Sequence, residues 1–315
     1  MRGGANVVQD CDFGSGGVGG YFGARLAAAG SDVTFVARGA HFEAMQTHGL
    51  RVISPLGEIS LPDVKVVDGV AHVERADFVF LTVKLWDTQQ VVPNLVPLAE
   101  RGAAVISFQN GVQKDEILLK SLPPSSVMGG VSYISAAIQE PGIIRHFGPI
   151  QNLVFGEFDG APSERALKLL RLCENAGIGS RISNEIEREI WEKFVFLVGL
   201  SATTTAMRQP IGAIRGNAQA RNFLLGVMRE AVNVGRARGV VLPEHYAEQR
   251  LEFCDTLPSE MTASMYQDPL RGNRLEFPWL SGAVAQLGKQ TGVPVPLNRA
   301  VTDILALYVD GNKSQ

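Results

Sequence analysis

The chain has 315 residues, and its 29 Lys and Arg against 32 Asp and Glu give a formal charge of −3, which argues against nucleic acid or any other partner held by bulk basic charge. Hydrophobic residues make up 45% and charged residues 19%, the profile of a soluble globular protein and not of a disordered or low-complexity one. The most apolar stretch, residues 194–200, is far shorter than the ~18–20 residues a membrane span needs, and residues 1–6 lack the apolar centre of a signal peptide. The expected setting is cytoplasmic.

At ~100–200 residues per domain the length suits two domains. Residues 7–13 stand where a first strand belongs, yet Gln9, Asp10 and Asp12 are too polar for a central one, so either the strand is distorted or the segment departs from the usual pattern. Residues 32–37, 78–83 and 103–108 are apolar on both faces, as strands buried in a parallel sheet are. Helical patterns lie between them, which predicts βαβ units and a doubly wound sheet. Residues 142–148 and 153–156 read as edge strands joined by a Gly/Pro turn. From residue 185 the period becomes helical, with helices expected over 185–206, 218–238 (Asn217 as N-cap), 280–291 and 298–308. The predicted fold is an α/β Rossmann-type dinucleotide-binding domain over 1–183 and an all-α substrate and catalytic domain over 184–315.

Gly14, Gly16 and Gly19 form G-x-G-x-x-G within Gly14-Ser15-Gly16-Gly17-Val18-Gly19, ahead of a helix over 21–30. Glycines at this spacing permit a tight turn, approach of the backbone to a pyrophosphate, and close helix-on-strand packing. The helix N-terminus adds free N–H groups and a positive dipole end. A glycine-rich turn before any buried helix has the same sequence, but the strand at 32–37 closes a βαβ unit of ~30 residues and favours the dinucleotide reading. At the end of that strand NAD binders place an acid and NADP binders an arginine. Arg38 stands there, either as a surface arginine or as a clamp on the 2′-phosphate of NADPH.

Lys84 ends the strand at 78–83, and Asn110 follows the strand at 103–108. Ligands of open α/β sheets lie beyond the carboxyl ends of strands, so each is either an ordinary turn residue or a group facing nicotinamide and substrate. Lys193, in the apolar segment 190–197, either snorkels to solvent or, partly desolvated, acts as a general acid. Ser264 and Glu276 offer a hydroxyl and a carboxylate where polar groups are otherwise sparse. Cys11, Cys173 and Cys254 share no CxxC spacing and read as reduced structural thiols; no metal site is nominated.

The ordered set Gly14-x-Gly16-x-x-Gly19-Gly20, Arg38, Lys84, Gln109-Asn110-Gly111, Trp191-x-Lys193, Ser264-x-x-x-Asp268, Glu276, Gly292-Val293-Pro294 and Pro296-x-Asn298 resembles the 2-dehydropantoate 2-reductase (ketopantoate reductase) family over essentially the whole chain. The resemblance implies an NADP-dependent oxidoreductase acting on a CH–OH group, with NADPH reducing a 2-oxo acid to a 2-hydroxy acid, by default ketopantoate to pantoate in pantothenate biosynthesis. It implies Lys193 as proton donor, Glu276 as its partner carboxylate near the ribose, and Ser264 as a ligand of the substrate carboxylate. It also implies Asn110 at nicotinamide and substrate, Gly14 to Gly19, Arg38, Lys84 and the backbone at Ala137 as cofactor contacts, and a homodimer through the helical domain.

Family members acting on ketopantoate carry asparagines four and eight residues after the lysine and another near the next Pro-x-Gly. Here Leu197, Ser201 and Ile211 occupy those positions. Loss of those amides predicts weaker discrimination for the substrate's hydroxyl, which would be buried unpaired. This opens two alternatives: a reductase of a more apolar 2-oxo acid, or a non-catalytic NADP-binding sensor.

Overall fold

The computed structural model describes residues 9–13 and 15–311. They divide into two compact units: one runs to Gln109 and from Lys114 to Ile186, and the other takes Asn110–Gln113 and the chain from Glu187 on.

The first unit comprises β1 (Gln9–Phe13), α1 (Gly17–Ala28), β2 (Asp32–Val36), α2 (Gly39–His48), β3 (Leu50–Ile53), β4 (Ile59–Leu61), β5 (Lys65–Val67), β6 (Phe78–Leu81), α3 (Leu85–Glu100), β7 (Ala104–Ser107), α4 (Lys114–Leu119), β8 (Val127–Glu140), β9 (Ile143–Gly156), α5 (Glu164–Asn175) and β10 (Gly179–Ile182). Among the described residues these strands form one sheet in the order β4-β3-β9-β8-β7-β6-β1-β2-β5, with β10 on β9. The pairs from β8 through β7, β6, β1 and β2 to β5 are all parallel. Alternate residues of β6 and β7 enter different cores: Phe78 and Phe80 pack with Phe35 and Ile106, whereas Val79 and Leu81 pack with Val105 and Leu95. That is why these strands read apolar on both faces.

Of the polar segment 7–13 that reads as a doubtful strand, residues 9–13 are β1, in the middle of the sheet, and residues 7 and 8 lie outside the described residues. Strand β1 runs parallel to β2 and β6, and Phe13 lies level with both Val36 and Leu81. The expected edge strands at 142–148 and 153–156 are instead one strand, β9, interior between β3 and β8. Phe147 pairs with Ser135 and Gln151 with Ile134, so residues 148–150 bulge out of an antiparallel ladder that continues on both sides. Gly148 (φ +75°) and Pro149 kink the ladder without reversing the chain.

The second unit is helical: α6 (Ile186–Met207), α7 (Ile211–Gly216), α8 (Ala218–Ala237), α9 (Tyr246–Thr256), α10 (Ser264–Leu270), α11 (Ser281–Thr291) and α12 (Pro296–Leu305). Asn217 caps α8 as expected, its side chain accepting from the N–H groups of Gln219 and Ala220. Trp191, Phe194, Val195 and Val198 of α6 and Leu224, Met228 and Ala231 of α8 build the core. The Pro296-x-Asn298 motif has a structural role: buried Glu230 accepts from the N–H groups of Leu297 and Asn298 at the start of α12, and Asn298 Nδ2 donates to the same carboxylate. No helix among the described residues is long and apolar enough to cross a membrane.

Cys173 and Cys254 are buried and neither is in a disulfide. Burial, reinforced by the neighbouring Asp255 carboxylate, pushes the Cys254 thiol up to about 11. It therefore stays protonated across the neutral range, and only the thiolate is nucleophilic. At pH 8 the native chain is expected to leave Cys254 unalkylated by iodoacetamide under conditions that label the denatured chain fully, as read by peptide mass spectrometry.

Candidate functional site

Gly14 lies outside the described residues. The turn resumes at Ser15, whose N–H donates to the Val36 carbonyl at 3.0 Å and so ties the end of β1 to the end of β2. Its side chain is 2% exposed, and the hydroxyl finds no hydrogen-bond partner among the described residues. Gly16 is the N-cap of α1 in an extended conformation, without a side-chain cap and without an acidic residue in the first turn. The helix thus begins four residues earlier than its apolar pattern suggests, bringing Gly17, Val18 and Gly19 into its first turn. Gly17 cannot carry a side chain: a Cβ there would stand 2.1 Å from the Ala136 carbonyl oxygen and 2.7 Å from Ala137 Cα. Two residues named for the cofactor, Gly17 and Ala137, are therefore brought into backbone contact. Buried His41 accepts from the Gly142 N–H at Nδ1, and burial holds its pKa below the ordinary value against the raising effect of the Ser15 carbonyl.

Arg38 is the N-cap of α2, two residues past β2, and Lys84 is the N-cap of α3, three residues past β6. Both side chains are exposed. Because β2 and β6 flank β1 and all three end level, the glycine turn and the two cations leave the same carboxyl edge of the sheet. Lys84 Nζ lies 5.6 Å from the Trp86 ring centroid. Arg38 Nη2 donates to Asp87 Oδ2 at 2.7 Å.

In the helical unit, half-buried Lys193 on α6 donates from Nζ to Asn110 Oδ1 at 2.9 Å, so residues 83 positions apart in sequence are joined. Trp191 and Phe194 on either side are buried and fix the helix by their packing. Ser264 is exposed at the first position of α10, and Glu276 is buried, 7% exposed, immediately before a short 3₁₀ turn. Leu197 is half-buried and Ile211 fully buried against the helical core. Ser201 is also buried, and its hydroxyl lacks a partner among the described residues, whereas Thr203 and Thr204 bond back to the carbonyls of Gly199 and Leu200.

Two features were missed by sequence reasoning. Asp87, in the first turn of α3, gives no signal until the ends of β2 and β6 are known to be neighbours. Lys114 and Asp115, a charged pair of sequence neighbours, are 1% and 6% exposed, and Lys114 Nζ donates to the Ser107 carbonyl at 2.8 Å and to both Asp115 oxygens at 3.0 and 2.9 Å. Burial pushes the Lys114 pKa down, and Asp115 opposes that shift. Gln109 extends the network, accepting from Ser107 Oγ and donating to the Val83 carbonyl and Thr88 Oγ1.

The chain is similar to known proteins over both units. A family model described as ketopantoate reductase PanE/ApbA matches residues 13–160, and the model of that family's C-terminal part matches residues 185–309. Among curated relatives, the 2-dehydropantoate 2-reductase of Archaeoglobus fulgidus is 32% identical over 293 residues, covering 93% of this chain and 95% of that protein. The enzyme of the same name from Mesorhizobium japonicum is 30% identical over 310 residues, covering 92% and 94%. Among solved structures, a PanE/ApbA family ketopantoate reductase from Ralstonia eutropha superposes with a TM-score of 0.87 at 29% identity, covering 95% of this chain and 98% of that one. With the α/β sheet, the helical unit and matches over both parts of its length, the chain belongs to the ketopantoate reductase family of oxidoreductases acting on a CH–OH group.

Proposed function

We propose that the chain uses NADPH to reduce the ketone of a 2-oxo acid, with 2-dehydropantoate (ketopantoate) as substrate and pantoate as product, as a cytoplasmic enzyme that pairs as a homodimer through its helical unit. The observation that carries this reading is the hydrogen bond from Lys193 to Asn110, because it holds an ammonium in a half-buried position beside an amide. Such a group is suited to give a proton to a developing alkoxide.

The residues at the sheet edge fit the dinucleotide. The first turn of α1 has neither an acidic residue nor a side-chain cap, which leaves its N–H groups and positive dipole end for a pyrophosphate. Arg38 would meet the 2′-phosphate, and Lys84 adds a second cation at the same edge. When bound, the reduced nicotinamide supplies a hydride to the carbonyl carbon. Ser264 binds the substrate carboxylate, Lys193 protonates the oxygen, Asn110 holds Lys193 in place, and Glu276 serves as the partner carboxylate.

A second reading keeps the chemistry and changes the acid. Leu197 and Ile211 stand at sequence positions where family members acting on ketopantoate carry asparagines, and the loss of those amides favours a more apolar 2-oxo acid. Steady-state kcat/KM with NADPH across a panel of 2-oxo acids separates the two. A preference for ketopantoate of about a hundredfold or more over branched apolar acids supports the first reading, and the reverse order supports the second. No NADPH oxidation with any acid would leave only a dinucleotide-binding sensor.

A further inference from the structure

Asp87 answers to none of the roles above, yet it occupies the one guanidinium that the cofactor reading depends on. Its carboxylate comes from the first turn of α3, beyond β6, and reaches Arg38 beyond β2, so the 2.7 Å ion pair joins the ends of the two strands that flank β1. Arg38 is 66% exposed at its side chain and Asp87 only 22%, so the acid is the more enclosed partner and the arginine keeps most of its surface open to a ligand. Position in the helix strengthens this, since an acidic residue in a first turn is held by the helix dipole.

We propose that Asp87 is a specificity-determining residue for the dinucleotide, accepting a hydrogen bond from a ribose 2′-hydroxyl and penalising a 2′-phosphate; this rests on the reading that Arg38 faces the adenosine ribose. Dinucleotide folds commonly place either an acid or an arginine at that ribose. Here both are present and paired. A guanidinium offers five N–H donors in a fixed fork, so a phosphate can bond Arg38 while Asp87 keeps Nη2. The carboxylate then stands within several ångströms of a dianion, and the repulsion offsets part of what Arg38 contributes. A 2′-hydroxyl meets no such repulsion and can donate to Asp87. The chain therefore accepts both cofactors and favours NADPH only modestly.

The test is equilibrium binding of NADPH and NADH, read by quenching of intrinsic tryptophan fluorescence, in the full-length chain and in Asp87→Asn, Asp87→Ser and Arg38→Ala. Each Asp87 variant is expected to tighten NADPH about fivefold, the scale of one exposed charge pair, while NADH is unchanged or weaker. Arg38→Ala is expected to weaken NADPH tenfold or more, about the loss of a charge-assisted hydrogen bond, and to spare NADH. If Arg38→Ala weakens NADPH but neither Asp87 variant changes the NADPH to NADH ratio, the role of Asp87 is overturned and that of Arg38 stands. If Arg38→Ala leaves NADPH untouched, both fail together.

Discussion

Lys193→Ala is expected to lower kcat for 2-oxo acid reduction by about 10²–10⁴-fold, the usual worth of a positioned general acid, while the affinity for the dinucleotide changes by less than about twofold because the side chain makes only a transition-state contribution. Reduction leaves charge on the carbonyl oxygen, and that oxygen needs both a proton and a cation as the charge forms. An ammonium on a rigid helix supplies both without reorganisation. Lys193 is held in two ways: burial of Trp191 and Phe194 fixes its stretch of α6, and Asn110 accepts a hydrogen bond from Nζ at 2.9 Å. Asn110→Ala should therefore cost less than the lysine itself, about tenfold in kcat, since the donor remains but loses its orienting bond. Lys193→Arg separates proton donation from charge, because a guanidinium keeps its positive charge yet does not release a proton in the working range. It should recover part of any electrostatic contribution and none of the acid catalysis. A Lys193→Ala enzyme retaining kcat within threefold of the wild type would remove the lysine from the chemistry.

Much of the fold is legible in the sequence because it rests on local signals. Runs such as 78–83 and 103–108, apolar on both faces, can be satisfied only inside a layered sheet, and Asn217 announces the start of α8 by its side chain alone. What escapes is decided at long range. The polar β1 is read correctly only when its neighbours are known, since the ladder to β2 and β6 overrides propensity. Gly148-Pro149 has the chemistry of a turn and becomes a bulge because β8 continues alongside it. Helices α7 and α10, of 6 and 7 residues, are too short to show a clear period, and in α9, of 11, charged residues interrupt the apolar spacing. The candidate site divides in the same way. Arg38, Lys84 and Lys193 carry their signals in strand ends and helix context, whereas Asp87 and the Lys193–Asn110 bond join residues 49 and 83 positions apart.

The Lys114–Asp115 pair should dominate the stability of the α/β unit. Its members are neighbours in sequence and almost wholly buried, and Lys114 also donates to the Ser107 carbonyl at the end of β7. Gln109 connects that strand end to the Val83 carbonyl beyond β6, so one polar network fastens the two loops that carry Lys84 and Gln109. Taking two charges out of water costs nearly as much as their attraction returns, but removing one partner strands the other in the interior. Lys114→Met is thus expected to destabilise the chain by about 3–5 kcal/mol, measured as a shift in the urea unfolding midpoint at constant m. The double variant Lys114→Met, Asp115→Leu should recover most of that loss, because an apolar pair of similar volume is often neutral or better. Strong non-additivity is the signature of direct coupling; equal losses in the single and double variants would show that Lys114 acts through its aliphatic stem and the Ser107 carbonyl instead. The pH dependence gives an independent check. Burial lowers the pKa of Lys114 in the folded chain, with Asp115 opposing the shift, so between that lowered value and the ordinary lysine value the folded state holds fewer protons than the unfolded one. Stability contributed by this group therefore rises with pH through that window. The wild type minus Lys114→Met difference should show that rise, and a flat difference would mean that the lysine is not desolvated in the folded chain.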